Sequence, residues 1–229
     1  MKYEKIVQGV FIERPNRFVA KVEIDSRIET VHVKNTGRCR ELLPAGATVY
    51  LADEEGKTRK TRYDLVAALK ESRIINMDSQ APNAVVKEAL QQGLILRDVI
   101  SVKPEFTYGD SRFDFFVQTA NHPKGAFIEV KGVTLEKNNV ALFPDAPTER
   151  GIKHIKELIN ATRIGYKTFI IFIIQMADVK YFSPNVDTHK EFTKTLKEAA
   201  ENNVSILAYD CNITPNSIEL SNNITIKLI

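Results

Sequence analysis

Three charged side chains sit inside two apolar segments: Asp114 in Ser111-Arg112-Phe113-Asp114-Phe115-Phe116-Val117, and Glu129 and Lys131 in Phe127-Ile128-Glu129-Val130-Lys131-Gly132-Val133. In an extended strand side chains alternate between faces, so Glu129 and Lys131 project from one face while Ile128 and Val130 project from the other. If the Asp114 segment is the hairpin neighbour of the Glu129 segment, its carboxylate lies beside that of Glu129. Adjacent carboxylates repel unless a cation sits between them, and oxygen-only ligation suits Mg²⁺ or Mn²⁺. Asp114 and Glu129 are therefore candidate metal ligands. Lys131 is placed to orient or deprotonate a water and to offset charge on a five-coordinate phosphorus. Together they are the core of metal-dependent phosphodiester hydrolysis. Glu88, on a helix predicted to open the same region, is the candidate third acid, provided that helix turns its face toward the sheet edge. A lone Glu-x-Lys pair says little, since alternating charges on a solvated strand face are frequent.

The elements that must position these residues fall into two groups. Short alternating runs at 6–12, 18–24, 29–33, 48–52 and 63–68 predict strands, with Asp25-Ser26 as turn chemistry and a helical or irregular piece over 38–43. Five such strands fit an OB-like barrel, a fold that often binds single-stranded nucleic acid, and equally a generic small β-domain. The polar stretch Asp78-Ser79-Gln80-Ala81-Pro82-Asn83 precedes a helix over 84–92 closed by Gly93. This sets a boundary between domains at 1–80 and 81–229. Strands over 95–106, 111–118 and 127–133 follow, then a helix over 148–162 with Ile152, Ile155, Leu158, Ile159 and Thr162 on one face. The unbroken apolar run 168–174 predicts a strand covered on both sides. A helix marked by Phe192, Leu196 and Ala199 and a strand over 204–209 complete an α-β-β-β-α-β-α-β order, an α/β/α sandwich.

Composition bounds the function classes. With 43% hydrophobic and 27% charged residues over 229 positions, the chain has the balance of an ordinary globular protein and not of a disordered one. The net charge of +3 is compatible with a nucleic-acid partner but too small to establish one. Only two cysteines occur, far apart and without metal-ligand spacing, which predicts reduced thiols. No apolar leader follows Met1 and no apolar run is long enough to span a bilayer, so a cytoplasmic protein without membrane contact is expected.

Cations are grouped where a nucleic acid could meet them. Arg14, Arg17, Arg38, Arg59 and Lys60 lie in the barrel region, with Arg40 and Arg62 nearby. Phe11 and Phe18, both in strands, read as core. Arg150, Lys153 and His154 share the polar side of the 148–162 helix with Glu157, a face for solvent or for substrate, where His154 is a candidate to donate to phosphate or to act near the metal. Gly56-Lys57-Thr58 is no phosphate loop, because Leu51 stands where the Walker motif needs glycine.

The Asp114 … Glu129-x-Lys131 spacing within α-β-β-β-α-β resembles the PD-(D/E)XK nuclease superfamily, with Phe113 in place of the proline. More closely, the chain resembles the sugar fermentation stimulation protein family, SfsA. The strings Asn35-Thr36-Gly37-Arg38, Ala81-Pro82-Asn83, Tyr108-Gly109-Asp110-Ser111-Arg112-Phe113-Asp114-Phe115, Glu129-Val130-Lys131-Gly132-Val133-Thr134-Leu135, Phe143-Pro144-Asp145-Ala146 and Thr148-Glu149-Arg150-Gly151-Ile152-Lys153-His154 carry that resemblance in order along the chain. It implies an N-terminal OB-like domain, a restriction-endonuclease-like α/β/α domain after it, and a description as a DNA-binding regulator of sugar metabolism. Arg112, inside the Asp114 string, joins the candidate nucleic-acid contacts.

Two readings follow. The first is a Mg²⁺- or Mn²⁺-dependent nuclease acting on DNA or RNA; the second is a DNA-binding regulator that does not cut. A carboxylate-pair glycosidase fares worst, since the chain has no tryptophan to stack on sugars and that mechanism has no use for a lysine beside the acid. Action as a homodimer is left open.

Overall fold

The computed structural model describes residues 1–55 and 60–229; Arg59 and the Gly56-Lys57-Thr58 string lie outside the described residues. The N-terminal alternation closes into a barrel of β1 (Ile6–Glu13), β2 (Val19–Ile24), β3 (Arg27–Val33), β4 (Thr48–Asp53) and β5 (Tyr63–Lys70). Antiparallel ladders join β1 to β2 and β4, β2 to β3, and β4 to β5. A short parallel contact, His32 with Asp64 and Val33 with Leu65, shuts the ring. The inward residues of each strand, among them Val22, Val31, Val49, Leu51 and Leu65, are fully buried. The β2–β3 hairpin turns on Asp25 and Ser26, both at positive φ (48° and 61°), as a tight two-residue turn requires. The 38–43 piece is a turn and not a helix, and β6 (Arg73–Asn76), which no periodicity announced, adds to β5.

The second half is a six-stranded sheet with helices on both faces. In chain order its elements are α1 (Ala81–Gln91), β7 (Val99–Tyr108), β8 (Ser111–Thr119), β9 (His122–Val133), β10 (Leu135–Lys137), β11 (Val140–Phe143), α2 (Glu149–Arg163), β12 (Lys167–Ile174), β13 (Tyr181–Pro184), α3 (Lys190–Glu201), β14 (Ser205–Thr214) and β15 (Ser217–Asn223). The sheet runs β15-β14-β12-β9-β8-β7, with β9, β12 and β14 parallel. α1 covers one face through Val85, Val86 and Leu90, which pack with Ile128, Val130 and Ile171. α2 and α3 cover the other through Ile155, Leu158 and Leu196 against Phe127, Ile170 and Phe172. Sandwiched this way, β12 is buried at every residue but its first, which explains its unbroken apolar run. The strand expected from residue 95 starts at Val99, and β10, β11, β13 and β15 are additions to the expected order. The first three of these form a small separate sheet. Strands of three or four residues carry too little pattern to be read from sequence.

A seam of buried polar groups joins barrel and sandwich. Gln175, just past β12, donates through Nε2 to Asn76 Oδ1 (2.9 Å) and to the Asp78 carbonyl (3.0 Å), and its own carbonyl accepts from Asn76 N (2.9 Å). The Asp78 carboxylate, fully buried, accepts from Tyr3 Oη (3.1 Å) and pairs with Lys34 Nζ (2.9 Å). Burial, followed by the Asp78 charge, pushes the Tyr3 phenol far above its ordinary value. Cys39 and Cys211 are buried free thiols, each pushed up to about 12 by burial first. Among the described residues no helix is long and apolar enough to cross a membrane.

Candidate active site

The site forms where two paired strands part. The β8–β9 ladder runs from Thr119–His122 to Phe115–Ile128. In that register Asp114 and Glu129 would come next. Instead the Asp114 side chain enters the gap: its Oδ2 accepts from the main-chain nitrogen of Val130 at 2.7 Å, and its Oδ1 accepts from Asn83 Nδ2, in the first turn of α1, at 2.9 Å. The change of facing shows in the aromatics, for Phe113 and Phe116, three apart, both lie 5.1 Å from the Phe127 ring. β9 meanwhile stays paired to β12 through Glu129, Val130 and Lys131, so it is β8 that departs. Across the edge, Glu105 of β7 takes a positive φ of 51° and reaches Arg112 at 3.7 Å.

Glu129 and Lys131 share a face, as alternation requires, and point toward α2. Lys131 Nζ donates to Glu129 Oε1, and His154 Nδ1 donates to the same oxygen, both at 2.5 Å. His154 Nε2 accepts from Arg150 Nε at 3.4 Å, so the imidazole is held at both ends. The helix carrying it is fixed at its start by Thr148, whose Oγ1 accepts from Gly151 N at 3.0 Å. The second carboxylate oxygen, Glu129 Oε2, is buried and has no partner. These groups line a cleft of about 260 Å³ that also holds Arg112 and Arg150.

The two acids are pushed in opposite directions. Burial, then the neighbouring Glu129 charge, raises Asp114, against the lowering effect of the Val130 and Asn83 hydrogen bonds and Lys131. Burial would raise Glu129 too, but the His154 hydrogen bond and the Lys131 charge outweigh it and hold Glu129 low. An unpartnered oxygen on an ionised, buried carboxylate is a costly arrangement that a cation would relieve. The residues therefore fit a hard divalent ion between Asp114 and Glu129. Among the described residues no third His, Cys, Asp or Glu completes a metal-holding group, so water or substrate oxygens would supply the remaining positions.

Several expected contributors stand elsewhere. Glu88 is a correction: it lies on the solvent side of α1, half-exposed, and pairs with the Met1 ammonium at 2.7 Å. The burial of Val85, Val86, Ala89 and Leu90 turns it away from the cleft. Its helix contributes Asn83 instead, which charge-based reasoning passed over; the only signal was the Ala81-Pro82-Asn83 string. His154 is not on a solvated face but buried beside the two acids, with Nδ1 on Glu129 and Nε2 on Arg150, so of its two expected roles the structure favours the one near the metal ligands over a phosphate contact. Arg14 is no free cation either. Its two terminal nitrogens are spent on the carbonyls of Gly37 (2.9 Å), Arg38 (3.0 Å), Arg17 (2.7 Å) and Asn35 (2.6 Å). Arg62 is bound bidentately to Asp53. Arg17, Arg38 and Lys60 are exposed, and Lys153 reaches the Asp110 carbonyl at 3.0 Å from the helix surface. Phe11 is buried as expected, but Phe18 is 50% exposed, against the expectation that it lies in the core.

Comparison with known proteins agrees with this architecture. A family model described as "SfsA N-terminal OB domain" matches residues 12–77, and one described as "Sugar fermentation stimulation protein RE domain" matches residues 80–217. The sugar fermentation stimulation protein homolog of Ruminiclostridium cellulolyticum is 54% identical over 228 residues, covering 100% of both chains. That of Desulfitobacterium hafniense is 52% identical over 229 residues, covering 100% of this chain and 99% of the relative. Among solved structures, "The structure of Pyrococcus Furiosus SfsA in complex with Ca2+" superposes with a TM-score of 0.89 at 29% identity, covering 99% of this chain and 98% of that one. An OB barrel followed by an α/β domain, matched over its length at this identity, belongs to the sugar fermentation stimulation protein (SfsA) family.

Proposed function

We propose that this protein is a Mg²⁺- or Mn²⁺-dependent nuclease that hydrolyses phosphodiester bonds of DNA, with RNA as the other candidate substrate. The observation that carries the reading is the meeting of Asp114 and Glu129 at the β8–β9 divergence, with Glu129 Oε2 buried and unpartnered and Lys131 alongside. When bound, a divalent cation supplies Lewis acidity toward a phosphoryl oxygen. The residues do the rest. Asp114 and Glu129 would hold the cation; Asn83 and the Val130 N–H fix the Asp114 carboxylate, and His154 fixes that of Glu129. Lys131 holds the attacking water and offsets charge on the phosphate, with Arg112 and Arg150 at the cleft to draw the backbone in. The Pyrococcus furiosus relative was solved in complex with Ca²⁺, which supports divalent-ion binding on this architecture. The test is incubation with single- and double-stranded DNA and RNA in Mg²⁺, Mn²⁺ or EDTA, beside Asp114→Ala and Lys131→Ala. Metal-dependent cleavage lost in both variants is expected, and cleavage indifferent to them would sink the assignment.

The reading of a DNA-binding regulator without turnover draws on one observation. Glu129 Oε1 is already occupied by Lys131 and His154, and no third acid joins the pair among the described residues. It predicts salt-sensitive binding with no cleavage in any metal.

A further inference from the structure

Phe18 is a large apolar side chain left 50% exposed at the head of β2, beside buried strand residues such as Ala20 and Val22. Its position is built. Asn16 Oδ1 accepts from the main-chain nitrogens of Phe18 (2.9 Å) and Val19 (3.2 Å), which sets the backbone, and the Arg17 guanidinium stands 5.1 Å from the ring centroid. The ring borders a hollow of about 160 Å³ with His32, Lys34, Thr36 and Gln80. That hollow shares Asn35, Thr36 and Ser79 with a larger cleft of about 290 Å³ between barrel and sandwich. The larger cleft includes Gly132, which follows Lys131 in the chain but projects from the other face of β9, and is lined by hydroxyls and amides, by Leu135, Leu142 and Phe143, and by one carboxylate, Asp145. Such a lining suits the edges of bases and sugars. Its barrel wall, residues 35–38, is held in shape by the carbonyls that Arg14 gathers.

We propose that Phe18, with Arg17 against it, is a stacking platform for an unpaired nucleobase. The protein then takes single-stranded nucleic acid across the barrel and into the Thr36–Ser79 cleft. This rests on the nucleic-acid reading above and adds the substrate class to it. A flat ring with one face against a cation and another open to a hollow accepts a base of any sequence, whereas the bases of an intact duplex are stacked on one another and out of its reach.

The experiment is fluorescence anisotropy of the full-length protein in EDTA, which prevents cleavage, with labelled oligothymidylate and with a blunt duplex of equal length. Phe18→Ala should weaken oligothymidylate binding by about 5- to 100-fold and leave duplex binding unchanged. Phe18→Trp should restore the single-strand affinity, which a merely unfolded variant could not do. A 2-aminopurine base in the oligonucleotide should be quenched on binding to the wild-type protein and not to Phe18→Ala. Equal weakening of both ligands, or none of either, overturns the platform. Failure of the wild-type protein to bind either ligand overturns the nucleic-acid reading itself.

Discussion

The Asp114 carboxylate stands 2.7 Å from the main-chain nitrogen of Val130, so a side chain, and not a β8 carbonyl, accepts that N–H. One carboxylate thus caps the end of a ladder while its other oxygen is held by Asn83. Strand pairing and site geometry are the same contact.

Removal of Asn83 tests that coupling. Asn83→Ala leaves the Val130 bond in place but frees Asp114 Oδ1, and loss of such a supporting hydrogen bond lowers metal affinity or activity about 10- to 100-fold. Calorimetric Mn²⁺ titration of wild type and variant measures it; an unchanged affinity would show that Asn83 has no positioning role.

Glu88 gives the opposite expectation. Its pair with the Met1 ammonium is half-exposed, and exposed ion pairs contribute about 0–1 kcal/mol. Glu88→Gln should therefore leave Mn²⁺ binding and cleavage at wild-type levels and move urea-unfolding stability by less than about 1 kcal/mol. A large loss of activity would return Glu88 to the site.

Arg14→Lys separates clamp from contact. A lysine has three donors and no planar fork, so it cannot serve the four carbonyls that the guanidinium serves. Stability should fall by about 1–3 kcal/mol in chemical denaturation. The salt dependence of oligonucleotide binding should not change, because the charge is retained and Arg14 does not meet phosphate.

The Asp53 cluster sets a pH dependence. The Arg62 guanidinium first and the Lys5 ammonium second hold the Asp53 carboxyl far below its ordinary value of 3.8, against burial. The folded state thus holds the proton more weakly than the unfolded state. The cluster's contribution is present above 3.8 and drains away as pH falls toward and through the lowered value. Asp53→Asn should be less stable than wild type at neutral pH, and the two denaturation curves should converge in acid. A gap that persists undiminished in strong acid would contradict this.

What could be read from the sequence was whatever a period or a short spacing carries. Alternation marked the barrel strands, and the two-residue spacing put Glu129 and Lys131 on one face. Facing between elements was not legible. A helical period puts Val85 and Ala89 on one stripe of α1 and Glu88 beside it, but does not say which stripe the sheet covers or that the sheet end meets Asn83. The same holds for His154, which reads as polar by type but lies on the buried side of α2, where Glu129 accepts its N–H. Arg14 and Phe18 show a third limit: an arginine spent on carbonyls and a phenylalanine left in solvent both depend on where a distant loop settles.

The seam of Gln175, Asn76, Asp78, Lys34 and Tyr3 bears on how a substrate is admitted. Opening a hinge there would strand several buried donors and acceptors at once, each at a cost of about 1–3 kcal/mol. The seam thus ties the two halves into one template. A polymer that engages both must supply the bending itself, so a supple strand or a frayed end is admitted more cheaply than a stiff rod.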